Sequence, residues 1–204
     1  ALDSEKIKRI ANDIVNRLKN PDIVALQEVQ DNNGTEGGYS DPVLDASKTF
    51  ENIIKAIKKA GGAVYKWVDI SPLAQKADGG APGGNIRVGF LWRVDRVKFV
   101  PKSGGTATSS VRIINTPNEG ASLNFNPGRI DPNNKAFKRS RKALVGEFIF
   151  KNQKIFVINI HLGSRRGDDL LFGDRQPPVF RSVKKRVRQV RVIRNFIRKI
   201  YSID

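Results

Sequence analysis

The chain has 204 residues, 39% hydrophobic and 28% charged, which excludes a disordered polymer and fits one domain spanning residues 1–204 with its own core. No apolar run approaches membrane-spanning length, and the lack of any Cys excludes disulfides, zinc–thiolate sites and a cysteine nucleophile. The formal charge is +17, and it is uneven: residues 1–102 carry +3 and residues 103–204 carry +14, with ten basic and no acidic side chains between Arg175 and Ile203. Such asymmetry points to a polyanionic partner, nucleic acid ahead of an anionic membrane surface. The chain starts at Ala1 and contains no Met, as expected of a processed or trimmed polypeptide.

Residues 4–19 place Ile7, Ile10, Ala11, Ile14, Val15 and Leu18 at helical spacing, with Asp3 or Ser4 as candidate cap. Asn20-Pro21 ends that helix, because proline disfavours helical geometry in the residue before it. Asp22 to Val29 (DIVALQEV) is a short apolar run, expected as a strand buried on both faces. A second amphipathic helix is predicted over about 47–60, with Phe50, Ile53, Ile54 and Ile57 inward and Gly61-Gly62 as its stop.

A strand over 63–69 and a Gly- and Pro-rich loop over 71–84 follow. Two strands, 86–92 and 96–100, are joined through Arg93-Val94-Asp95. Residues 101–134 are dense in Gly, Asn and Pro and are expected as long surface loops. Residues 143–150 and 155–160 form a predicted hairpin around Lys151–Lys154. The last element is a helix over about 182–201, with Val183, Val187, Val190, Ile193, Ile197 and Ile200 on one face. Interspersed helices and hairpin-like strand pairs argue for an α+β fold with a mixed or antiparallel sheet.

Four places carry chemistry. Glu28 ends an apolar strand, where a carboxylate is costly to bury unless it is paired or holds a hard cation such as Mg²⁺. His161, the single histidine, follows another apolar strand, with Asn159 two residues earlier on the same face and Arg165-Arg166 just beyond. The Gly79–Gly84 loop (GGAPGG) is a flexible turn able to bring backbone amides near an anion, and it lacks the Gly-Lys-Ser/Thr of a Walker motif. Arg139, Arg141 and Lys142 precede a strand and are placed to offer paired donors to a phosphate.

Jointly, PDIVALQEVQDNNG (21–34), GGAPGGNIRVGFLWRVDRV (79–97), GRIDP (128–132), AFKRSRKAL (136–144), VINIHLGS (157–164) and FGDRQPPV (172–179) resemble the endonuclease/exonuclease/phosphatase superfamily, with the nearest likeness to secreted bacterial and archaeal nucleases. The resemblance implies a deoxyribonuclease-like four-layer α/β/β/α sandwich and metal-dependent phosphodiester hydrolysis. It implies Glu28 as a ligand of a divalent metal (Mg, or Mn or Ca), His161 at the scissile phosphate and Arg141 directed at the same site, with Asn85 a further catalytic candidate. Arg87, Lys138, Arg139, Arg165, Arg166, Lys184, Lys185 and Arg188 are the expected nucleic-acid contacts, DNA being the expected polymer and an extracellular location the expected setting.

The family's first strand, expected before Ser4, and its Gly-Asp-x-Asn and terminal Asp-His elements, expected after Tyr201, are not in the sequence. An incomplete fold is therefore expected, with lost segments or a second chain supplying the rest. The alternative reading is a non-catalytic protein that keeps the fold and binds DNA or another polyanion.

Overall fold

The computed structural model describes residues 4–74, 77–117 and 120–203. The first periodic segment forms α1 (Ser4–Asn12), continued by a π-helical turn (Asp13–Arg17), and buries Ala11, Ile14 and Val15. Asp3, one candidate cap, lies outside the described residues. After β1 (Ile23–Val29), α2 (Ser47–Lys59) buries Phe50, Ile53 and Ile57 at the expected spacing. Then come β2 (Tyr65–Asp69), β3 (Arg87–Arg93), β4 (Val97–Phe99), β5 (Ile113–Thr116), β6 (Gly120–Leu123) and β7 (Gly128–Arg129). The chain continues through β8 (Leu144–Phe150) and β9 (Gln153–Asn159) to α3 (Arg181–Tyr201).

Two antiparallel sheets organise these elements. In the first, β3 lies between β1 and β2. In the second, β8 pairs β9 along its whole length, while β4 and β7 share its other edge. The β8–β9 turn is a two-residue hairpin with Lys151 and Asn152 both at positive φ, the geometry that matches strand twist. A separate hairpin joins β5 and β6.

The period-two alternation of β3 decides the layering. Val88, Phe90 and Trp92 point one way and join Leu144 and Phe148 of β8, Val97 and Ile70 in a core between the sheets. Phe90 and Trp92 each meet the Phe148 ring edge-on. Leu91 points the other way, into a second core with α1 and α2. There Phe50 stacks on Trp67, with centroids 4.7 Å apart, and only glycine fits at position 89: a Cβ would stand 2.6 Å from the Phe50 ring. A third core joins Val145 and Leu123 to Ile193, Phe196 and Ile200 of α3. Helices, sheet, sheet and helix thus form four layers, and the fold is α+β.

Several expectations need correction. β1 is an edge strand among the described residues, and only its Val29 is buried, so it is not sandwiched on both faces. β3 and β4 are not a hairpin, since the turn at 94–96 carries the chain from one sheet to the other. Residues 101–109 are loop with none buried, as expected, but the rest of the 101–134 segment is not: among the described residues it contains three strands and buries Val111, Leu123, Asn126 and Ile130.

Their anchor is Glu147 of β8, 1% exposed, which accepts from Lys102 Nζ (2.9 Å), Ser122 Oγ (3.0 Å) and Leu123 N (2.8 Å). Asn126 adds bonds to the carbonyls of Val100 and Glu147. A polar sequence was therefore misleading, because its polar groups satisfy one another inside the protein.

α3 is rotated from its expected orientation. Its inward face runs Ser182, Lys185, Arg186, Gln189, Ile193, Phe196 and Ile200, while Val183, Val187 and Val190 are exposed. The first half of that face binds by polar contacts: Gln189 accepts from Gly163 N and donates to Ser140 Oγ, and Lys185 donates to Lys138 O.

Glu147→Ala would strand the Lys102 ammonium and the Leu123 amide. Denaturant unfolding is expected to lose about 3–5 kcal/mol of stability. Hydrogen exchange is expected to localise the loosening to β5 and β6.

Candidate functional site

Two side chains bridge the sheets at one end of the sandwich. Asn159, buried at the end of β9, donates to the carbonyls of Leu26 in β1 (2.8 Å) and Gly89 in β3 (2.9 Å). Gln27 donates to Ile160 O (2.5 Å). These bonds fix the ends of β1 and β9 side by side. The next residues on each strand are Glu28 and His161.

A cleft of about 970 Å³ opens there, lined by Glu28, Arg141 and His161, together with Arg139, Ser140, Arg166, Arg181, Ser182 and Lys185. Gly79, Gly80, Ala81, Pro82 and Tyr39 close another side. Three of the four predicted catalytic residues therefore share one cleft. Glu28 sits in a bulge, where the β1–β3 register shifts between Leu26 and Val29, with φ at +54°. Arg139 is also left-handed, at +50°. Such conformations cost on the order of 1–3 kcal/mol in a non-glycine residue and persist where the surroundings over-determine them. Here they turn a carboxylate and an arginine toward the cleft.

The electrostatics are those of crowded cations. His161 Nε2 stands 3.7 Å from Glu28 Oε1, and its Nδ1 is buried without a partner. Burial, and then Arg141, pull the imidazole below its ordinary value of 6.5, against the opposing pull of Glu28. Burial likewise lowers Arg141, whose Nη2 donates to Leu162 O and whose Nε has no partner. Lys185 is lowered by burial first and then by Arg141, Lys142 and Arg188. The N-terminal turn of α3, through Arg181, Ser182 and Lys185, also faces the cleft, and a helix start favours an anion.

Glu28 is the single carboxylate lining the cleft among the described residues, and its side chain is 64% exposed. An exposed carboxylate suits Mg²⁺, which takes one or two carboxylates and keeps waters and substrate oxygens as its other ligands. Among the described residues, no group of three or more His, Cys, Asp and Glu side chains is placed to hold a metal.

Other expected site residues fall elsewhere. Asn85 is buried, its amide nitrogen shared by Asp31 Oδ2 (2.9 Å), Val43 O (2.9 Å) and Gly83 O (3.2 Å). It is a structural cross-brace outside the cleft. Arg87 is 1% exposed and binds Leu44 O (2.5 Å) and Asp69 (3.3 Å), so it offers no nucleic-acid contact. A strand position beside a cluster of acids hid this, since spacing alone does not tell an inward arginine from an outward one. Arg165, Lys184 and Arg188 are exposed beyond the cleft lining, as is Lys138. Sequence reasoning missed Tyr39, Ser164, Arg181 and Ser182, which reach the cleft from loops and a helix start without a motif of their own.

No protein-family model matches the sequence, and no curated protein matches it. Among solved structures, the chain is similar to a crystal structure of humanized D. rerio TDP2 carrying 14 mutations, at 19% identity and a TM-score of 0.44, over 97% of this chain and 52% of that one. The chain thus spans about half the length of that structure.

A lowered imidazole has a defined consequence for stability. Between the folded-state value and 6.5 the unfolded chain binds more protons, so stability falls as pH drops through that window. Because His161 is the only histidine, His161→Gln is expected to flatten the slope of denaturant stability between pH 7 and 5.5.

Proposed function

We propose that the cleft binds and hydrolyses a phosphodiester, with DNA as the substrate and an extracellular nuclease as the whole. The observation that carries this reading is the gathering of Arg139, Arg141, Arg166 and Lys185 beside His161 around a cleft to which, among the described residues, Glu28 alone gives a carboxylate, with Arg141 and Lys185 both lowered by burial. Cations that repel one another in a partly buried site gain most from a bound anion. The charge of +14 on the second half extends this attraction along a polymer of regularly spaced phosphates.

Each residue has a chemical part. The Arg141 guanidinium, with an unpartnered Nε and a backbone-anchored Nη2, is oriented to donate to a phosphoryl oxygen and to stabilise charge growing there. His161, held neutral near pH 7, offers a hydrogen bond to the same phosphate without adding to the cationic crowd. Arg139, Arg166 and Lys185 hold flanking phosphates. Glu28 would hold the divalent metal, which supplies charge neutralisation and lowers the pKa of a bound water.

That Glu28 is the one carboxylate of the cleft among the described residues favours the second reading, a DNA-binding protein without catalysis. Plasmid nicking in Mg²⁺ separates the two. Cleavage is expected, with Glu28→Ala and His161→Ala each lowering it by roughly 10²–10³-fold while leaving binding within a few-fold. Salt-dependent binding without cleavage, indifferent to Glu28→Ala, supports the second reading instead.

A further inference from the structure

The sequence around the strained Glu28 inverts the charge of the protein. Between Lys19 and Lys48 lie Asp22, Glu28, Asp31, Glu36, Asp41 and Asp45, with no Lys or Arg. Part of this stretch, the Asp- and Asn-containing loop after β1, folds over the Gly79–Gly84 loop: Asp31 N donates to Gly84 O, and Gly83, at φ +80°, lies so close that a Cβ would stand 2.9 Å from the carbonyls of Thr35 and Glu36.

Asn33 bonds Asp41 directly, Asp31 reaches the same loop through Asn85, and each of the three has one side-chain atom tied and another without a partner. Asp31 Oδ2 accepts from Asn85 Nδ2 (2.9 Å), leaving Oδ1 buried without a partner. Asp41 Oδ1 accepts from Val43 N (2.9 Å) and Asn33 Nδ2 (3.1 Å), leaving Oδ2 buried without a partner. Asn33, its amino group spent on Asp41, is left with an unpartnered, buried Oδ1. Asp31 and Asp41 are 0% and 4% exposed. Two carboxylates and an amide oxygen closed to water, in a protein where buried polar atoms are otherwise mostly satisfied, need a counter-charge that is also an electron-pair acceptor.

We propose that this loop is a Ca²⁺ site, separate from Glu28, whose side-chain ligands are Asp31 Oδ1, Asn33 Oδ1 and Asp41 Oδ2. The donor set is oxygen only, which selects a hard cation. Its closure to solvent favours Ca²⁺, which accepts protein oxygens at flexible geometry, over Mg²⁺, which keeps several waters. The hydrogen bonds from Asn85, Val43 and Asn33 are the outer contacts that aim the ligand oxygens. The same loop carries Tyr39 to the cleft and braces Gly83, so the ion orders one wall of the candidate active site.

The test is Ca²⁺ titration of the EDTA-treated full chain, followed by calorimetry and by thermal unfolding. In the wild type and in Glu28→Ala alike, a hundredfold excess of Ca²⁺ over its dissociation constant is expected to raise the midpoint by roughly 5–10 °C. Asp31→Asn and Asp41→Asn keep the accepted hydrogen bonds and change one oxygen. Both are expected to lose the Ca²⁺ shift while unfolding in EDTA at or above the wild-type temperature, because like charge has been removed. The proposal is overturned if Ca²⁺ gives neither heat nor shift, if both variants keep the shift, or if Glu28→Ala loses it. It is overturned equally if both variants are destabilised in EDTA, since the carboxylates would then serve the fold without an ion.

Discussion

Asn159 is the side chain on which the candidate site depends. It is buried where the sheets meet, and its amide nitrogen bonds carbonyls of β1 and β3 on the opposite sheet. Aromatic contacts between the sheets, Phe90 and Trp92 against Phe148, supply adhesion without direction. A buried amide is directional, and a mismatch leaves donors and acceptors stranded, so it sets which residues face each other across the gap. With Gln27 bound to Ile160 O, the strand ends can align in one way, and that alignment puts Glu28 against His161.

Around that alignment the chain separates its charges. Basic residues from the 139–142 segment, from the loop after β9 and from the start of α3 converge on the cleft, while the acidic 31–45 loop folds against its rim. α3 shows what this arrangement requires. Its first half turns Lys185, Arg186 and Gln189 inward to bind the loops at 138–140 and 163, and its valines are left outside. Only its second half packs as an ordinary apolar helix, on Ile193, Phe196 and Ile200. One helix thus closes both the cleft and the outer core.

Inward ion pairs do comparable work away from the cleft. Asp78 is held between Arg129 (3.1 Å) and Lys142 (2.9 Å), and Glu147 between Lys102 and Ser122, so segments poor in apolar residues are pinned to β8 or its flanks. Such pairs are costly to break because the surviving partner stays buried. They explain why residues 120–130, polar in composition, form strand and buried turn.

Periodicity in the sequence determined the helices at Ser4 and Ser47, the β8–β9 hairpin and the extent of α3, because local spacing and turn residues govern those choices. It also placed Glu28, Arg141 and His161, each polar, at or near the border of an apolar strand. Tertiary structure alone decided which of the candidates meet. Arg87 and Asn85 stand on the same kind of strand border, yet the acids Asp69 and Asp31 draw them inside. The crossing of β3–β4 between sheets and the rotation of α3 follow from pairings far apart in the chain. Side-chain direction at such positions is set by partners that no local pattern contains.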